Sequence, residues 1–98
     1  MKFEWDEDKN RINARRHGVR FEDASYAFAD PDGLSRFDDE HSATEDRWVW
    51  LARSPLTGQI LVVIHTYREK EGLEHVRIIS ARKATSHERA AYQKRARR

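Results

Sequence analysis

Five consecutive aliphatic residues, Ile60-Leu61-Val62-Val63-Ile64, form the longest such run in the chain and most limit what it can fold into. The run is far short of the ~20 residues that cross a bilayer. Side chains alternate across a strand, so Val62 and Ile64 fall on one face and Leu61 and Val63 on the other. A strand that is apolar on both faces belongs at the centre of a sheet with cover on each side. The 98 residues contain no repeat and no Pro/Gly/Ser-rich linker. Residues 1–98 therefore read as one domain, which at this size buries roughly 60–70% of its unfolded surface.

The segments around this strand carry clear start and stop signals. Asp6 is placed to cap a first helix with Glu7 and Asp8 in its first turn, Arg15 and Arg16 near its end and Gly18 as terminator. Lys9, Asn13 and His17 line one polar stripe of that helix, and Ile12 is almost its only apolar residue, so a peripheral helix anchored by Phe3 and Trp5 is expected. Phe21 to Phe28 reads as a short second helix, ended by the turn Asp30-Pro31-Asp32-Gly33. Strands follow at Leu34 to Phe37 and Trp48 to Ala52. Pro55-Leu56-Thr57-Gly58 then turns into a third strand, Gln59 to Tyr67. Glu69 to Glu74 reads as a polar turn before a fourth strand, His75 to Arg82. Thr85 and Glu88 have the spacing of a capping box, which starts a last helix near Ser86. The order ααββββα predicts an α+β fold with a four-stranded antiparallel sheet.

Charge is unevenly spread. Residues 1–46 hold seven Lys/Arg against thirteen Asp/Glu, and residues 47–98 hold twelve against four. The basic half suits a polyanion, and Arg82 and Lys83 just before a helix start suit a phosphate. The general alternative is that surface charge keeps a small domain soluble. The N-terminal residues have no signal-peptide layout, so a cytoplasmic protein is expected. Cysteine is absent, which excludes a disulfide framework and thiolate metal sites. His17, His41, His65, His75 and His87 are scattered, His41 with Glu45 being the nearest approach to a ligand pair, and no metal or cofactor is expected. No Gly-rich phosphate loop precedes a helix and no G-x-S-x-G is present.

Phe3-Glu4-Trp5-Asp6, Lys9, Asn13, His17-Gly18-Val19, Phe21-Glu22-Asp23-Ala24, Asp30-Pro31, Arg47, the strand Ile60 to Arg68 and Arg77-Ile78-Ile79-Ser80-Ala81-Arg82-Lys83-Ala84-Thr85 with Glu88, Arg89 and Tyr92 occur in an order that resembles the BrnT toxin family. The resemblance spans nearly the whole chain. It implies a RelE-like fold, ribonuclease activity that arrests translation, and neutralisation by a BrnA antitoxin. It further implies that the antitoxin carries a ribbon-helix-helix region, through which the complex binds operator DNA and represses its own operon. The first helix begins with acidic residues, unlike the long basic N-terminal helix of ribosome-dependent RelE relatives, so free RNA is the expected substrate.

Metal-independent RNA cleavage needs a base for the 2′-OH, cations for the phosphorane and an acid for the departing 5′-oxygen. Arg68, Arg77 and Arg82 are candidates to hold the phosphate, because a guanidinium offers paired donors and stays charged. Arg82 is the first choice, while Arg77 could equally be a solvated edge residue. Lys83 could be a second clamp or an acid, and Arg89 a further RNA contact. His65 and Tyr67 share a strand face and could supply the base, although a histidine on a Val-rich strand is commonly an interior residue. Tyr92 lies two helical turns after Thr85. RelE-like toxins often place a C-terminal tyrosine near the scissile phosphate, but a helical aromatic is commonly core. Glu88 is assigned to the capping box. Trp48 and Trp50 could stack on bases, meet an antitoxin or pack in the core, and Asp38-Asp39-Glu40 reads as a solvated loop. Two non-enzymatic functions compete with the ribonuclease. One is a nucleic-acid-binding module, and the other is an antitoxin-binding corepressor subunit.

Overall fold

The computed structural model describes residues 1–96, which leaves Arg97 and Arg98 of the basic half outside the description. Its elements are β1 (Lys2–Glu4), α1 (Glu7–His17), α2 (Phe21–Tyr26), β2 (Leu34–Phe37), β3 (Trp48–Arg53), β4 (Ile60–Lys70), β5 (Leu73–Lys83) and α3 (Ser86–Ala96), with 3-10 turns at Ala27–Ala29 and Asp39–His41. They build one sheet in the order β1-β5-β4-β3-β2. The α+β class is as expected, but the sheet has five strands and is mixed. β1 runs parallel to β5, with Phe3 opposite Val76, while the other pairs are antiparallel. The expected ααββββα order thus gains a strand at its start. Three residues are too few to show an alternating pattern, and β1 is a strand because β5 offers it an edge.

Three boundaries also differ from expectation. α2 stops at Tyr26 and continues to Ala29 as a 3-10 turn. The polar segment 69–74 is mostly strand: β4 and β5 stay paired out to Lys70 and Leu73. Only Glu71 and Gly72 form the turn, both at positive φ (54° and 77°), the geometry that closes two-residue hairpins. These strand ends are exposed on both faces, so their polar composition conceals the ladder.

β4 lies at the middle of the sheet and is covered on both sides. Leu61 and Val63 join Val76, Ile78 and Ala81 of β5 beneath Val19, Phe21 and Ala24, with Phe3, Trp5, Phe28 and Trp50 at the margin. On the other face Ile60 and Val62 join Val49, Ala84 and Tyr92, with Leu51 and Ile64 beside them. The first face is the larger core and the second is covered only by α3. Trp50 stacks on Phe28 at 5.5 Å, and its indole donates to the Ala27 carbonyl. Trp48 meets Phe37 edge-on. Both tryptophans therefore pack within the fold.

α1 is capped as its sequence indicates. Asp6 accepts from the Lys9 N–H, and Gly18 ends the helix at φ 70°. Its docking is unusual in that the buried residues are Asn10 and Asn13, while Ile12 is 55% exposed. Asn13 donates to the carbonyls of Val19 and Ala81 and accepts from the Ala81 N–H. Its amide thus takes the place of a strand on the β5 edge beyond the end of β1, satisfying groups that burial would otherwise leave unpaired. Asn10 accepts from the Phe21 N–H and donates to Glu22, whose carboxyl pKa is lowered chiefly by that bond.

Candidate active site

α3 covers the sheet over Val49, Ile60 and Val62, and the same face lies open beyond it. There an open cavity of about 500 Å³ has an apolar floor of Val49, Val62 and Ile64. Arg36, Arg47 and Arg82 line it, together with Ile79, Ser80 and the segment Asp38 to His41. Strand register explains the convergence. Arg36 pairs with Val49, Val49 with Ile64, Ile64 with Ser80 and Val62 with Arg82 across four neighbouring strands. A bulge leaves Ile79 without a partner between Ser80 and Ile78, which bends β5 beside the cavity.

Arg82 and Glu88 form a two-point ion pair, with Nη1 to Oε1 at 2.7 Å and Nη2 to Oε2 at 2.9 Å. The same carboxylate accepts from the Thr85 N–H, and Thr85 Oγ1 accepts from the Glu88 N–H, completing the capping box. Glu88 therefore serves both the helix start and the site arginine. The Arg82 bonds hold its pKa at about 2, and the Glu88 bonds raise that of the guanidinium. His41 Nδ1 lies 3.0 and 3.1 Å from the two Asp38 carboxylate oxygens. Asp38 itself is buried and tied to Arg47 and Ser42 through its backbone. A carboxylate on one ring nitrogen orients an imidazole and leaves Nε2 for chemistry. Arg47 pairs with Glu45 at 3.6 Å, and its buried Nε has no hydrogen-bond partner among the described residues. Unsatisfied buried donors are uncommon and concentrate where function requires them.

Of the catalytic and RNA-binding candidates expected from the sequence, only Arg82 lines this cavity. Arg68 and Tyr67 lie further along β4 and share a neighbouring depression with Arg77, Glu45 and Asp46. Arg77 is paired with Glu45. Desolvation and the Glu74 carboxylate raise the Tyr67 pKa, a direction that disfavours it as a base. Lys83 and Arg89 line a third depression with Arg53 at the end of the sheet. Lys83 follows Arg82 on a strand, so its side chain leaves from the opposite face. His65 is buried on the face covered by α1 and α2, its ring 4.9 Å from that of Phe28. Burial lowers its pKa against a weak contact with the Val63 carbonyl.

Tyr92 is 3% exposed and donates its hydroxyl to Asp30 at 2.6 Å. Burial and that carboxylate raise its pKa. Burial alone would raise the Asp30 pKa, but bonds from Tyr92 and from the N–H groups of Arg53 and Asp32 outweigh it and hold the carboxyl low. Here His65 and Tyr92 depart from the expected site geometry for the same reason: each ring is drawn into a core layer. Tyr92 also clamps α3 to the loop after α2.

The family model for the ribonuclease toxin BrnT of type II toxin–antitoxin systems matches residues 5–88, which include strands β2 to β5 and every residue of the open cavity. The chain belongs to the BrnT family. Comparison with the curated proteins finds no match. Membership makes the chain a ribonuclease toxin by family and implies an antitoxin as its partner. No helix among the described residues is long and apolar enough to cross a membrane. In this BrnT chain the cavity adds Arg36, His41 and Arg47 to the candidates named from sequence. Arg36 could have been found from the alternation Leu34, Arg36 on a short strand. His41 and Arg47 lie in or beside an irregular segment whose position no local pattern reveals.

Proposed function

We propose that the chain is a metal-independent endoribonuclease that cleaves RNA by attack of a 2′-OH on the adjacent phosphate at the open face of the sheet. The observation that carries this reading is the convergence of Arg36, Arg47 and Arg82 with a carboxylate-oriented histidine around one open cavity. The guanidiniums hold the phosphate and stabilise the charge that develops on the phosphorane. His41, held by Asp38, transfers the proton at the 2′-oxygen or at the departing 5′-oxygen. Glu88 holds the Arg82 fork in plane and is a positioning residue. His65, Tyr92 and Lys83 are left out of this set because they face elsewhere, and Arg68, Arg77 and Tyr67 guide the RNA strand along the neighbouring depression.

In this reading the chain acts in the cytoplasm as one domain and inhibits translation by destroying RNA. A BrnA-type antitoxin with a ribbon-helix-helix region neutralises it, and operator DNA is reached only through that complex. The test is cleavage of a single-stranded RNA in EDTA by the parent, Arg82→Lys and His41→Ala, each checked for folding, with a 2′-deoxy control that cannot react. Arg82→Lys keeps the charge but loses the fork, and His41→Ala should lower kcat by about 10²–10⁴. No cleavage by the parent, with ribosomes absent and then present, overturns the enzyme reading in favour of a binding module or corepressor subunit.

A further inference from the structure

Five of the twelve arginines among the described residues are matched by carboxylates: Arg82 by Glu88, Arg77 and Arg47 by Glu45, Arg20 by Asp23 and Arg11 by Asp8. The depression at the end of the sheet is different. Arg53, Lys83 and Arg89 line it with Gln59 and Gln93, and no Asp or Glu is among its lining residues. None of the three cations forms an ion pair with another described residue within 4 Å. Two are nevertheless fixed in place. Arg53 Nη1 donates to the Gly58 carbonyl at 2.7 Å and its guanidinium sits over the Tyr92 ring, while Arg89 Nη1 donates to the Ala84 carbonyl at 2.9 Å. Each still has guanidinium donors turned to no described residue, and Lys83 is exposed beside them. Asp30, which accepts from the Arg53 N–H, offsets part of the Arg53 charge; the three cations otherwise repel one another, and an anion relieves that cost.

We propose that this cluster is a second phosphate site, which holds the RNA backbone flanking the cleaved bond. The inference rests on the ribonuclease reading above. Arg82 and Lys83 are consecutive residues whose side chains leave opposite faces of β5, just before α3 begins at Ser86. A strand of RNA whose scissile phosphate sits at Arg82 passes the start of α3 and meets Lys83, Arg89 and Arg53 with a phosphate some nucleotides away. Lys83 is thus a flank-binding residue, in contrast to the clamp or acid that its place beside Arg82 suggests. The glutamines offer amides to sugar or base edges and carry no charge that would oppose the backbone.

The experiment compares the parent with Lys83→Gln and Lys83→Gln/Arg89→Gln, using non-cleavable 2′-O-methyl RNA for affinity and ordinary RNA for kinetics. Lengths of about four and about sixteen nucleotides separate the open face from the flank. The double variant should bind the long RNA severalfold more weakly. The slope of its log affinity against log salt should flatten by about 1.4, or by about 0.7 for Lys83→Gln alone, which keeps the Arg89 bond to Ala84. KM for the long RNA should rise, with kcat and the short-RNA kinetics held. Unaltered affinity and slope in both variants overturn the proposal while leaving the ribonuclease reading intact. A fall of kcat on the short RNA also overturns it and puts Lys83 at the reacting phosphate. A parent that binds no RNA at low salt overturns both readings.

Discussion

At the scale of single residues, Glu88 has two duties that the sequence spacing separates poorly. T-x-x-E announces the capping box, and both of its reciprocal bonds are present. Nothing in that spacing says that the same carboxylate grips Arg82, because the contact depends on how α3 leaves β5. The pair gives a defined acid response. The folded pKa of Glu88 is about 2 against an ordinary 4.5, so its contribution to stability is complete above about pH 4.5 and is lost as pH falls toward 2. Arg82 is 39% exposed, so water screens the pair and the contribution is about 1–2 kcal/mol. Glu88→Gln preserves the capping geometry and removes the charge. Urea titrations should find it less stable than the parent by that amount at pH 7, with the gap narrowing steeply below pH 4.5 and closing only below about pH 2. A gap independent of pH would refute the assignment. His41 shows the other limit of local reading: its place at the cavity depends on Asp38 and on the register that brings Arg82 opposite Val62.

At the scale of elements, most of what was legible lay in end signals and strong alternation. The caps of α1, the last helix start and the two-faced β4 all stand where the residues put them. β1 was hidden because its pairing partner is remote, and the outer halves of β4 and β5 because no core colours them. α1 was expected to be peripheral from its lack of apolar residues, and the reason it holds is polar. Asn13→Ala would leave the Ala81 N–H and two carbonyls without partners in a buried setting, which should cost about 2–4 kcal/mol. Ile12→Ala, on the exposed face of the same helix, should change stability by no more than about 0.5 kcal/mol. Thermal or urea denaturation of both variants checks the order. The reverse order would mean that α1 docks by apolar contact after all.

At the scale of the whole molecule, the two sides of the sheet divide the labour. α1 and α2 close one side with the larger core, and the other keeps part of its surface uncovered with the site arginines at its margin. The net charge of +2 understates how basic residues 47–98 are, since the acidic residues cluster in the N-terminal half. Raising salt from about 50 to 200 mM should therefore lower kcat/KM for a long RNA mainly through KM, and steady-state kinetics at fixed pH measures it. A salt-independent KM would place recognition in base contacts instead.

The parallel pairing of β1 with β5 has a consequence for how the protein is made. A ribosome synthesises Lys2 well before its partner His75. Until then β4 lacks one neighbour, Asn13 has no Ala81 to hold, and Arg82 has not been added. Long-range pairing of this kind delays assembly until the last strand is available. A product of synthesis interrupted before the end of β5 lacks Arg82 and part of the strand that ties β4, β1 and α1 together, so the open face is assembled only once β5 is complete.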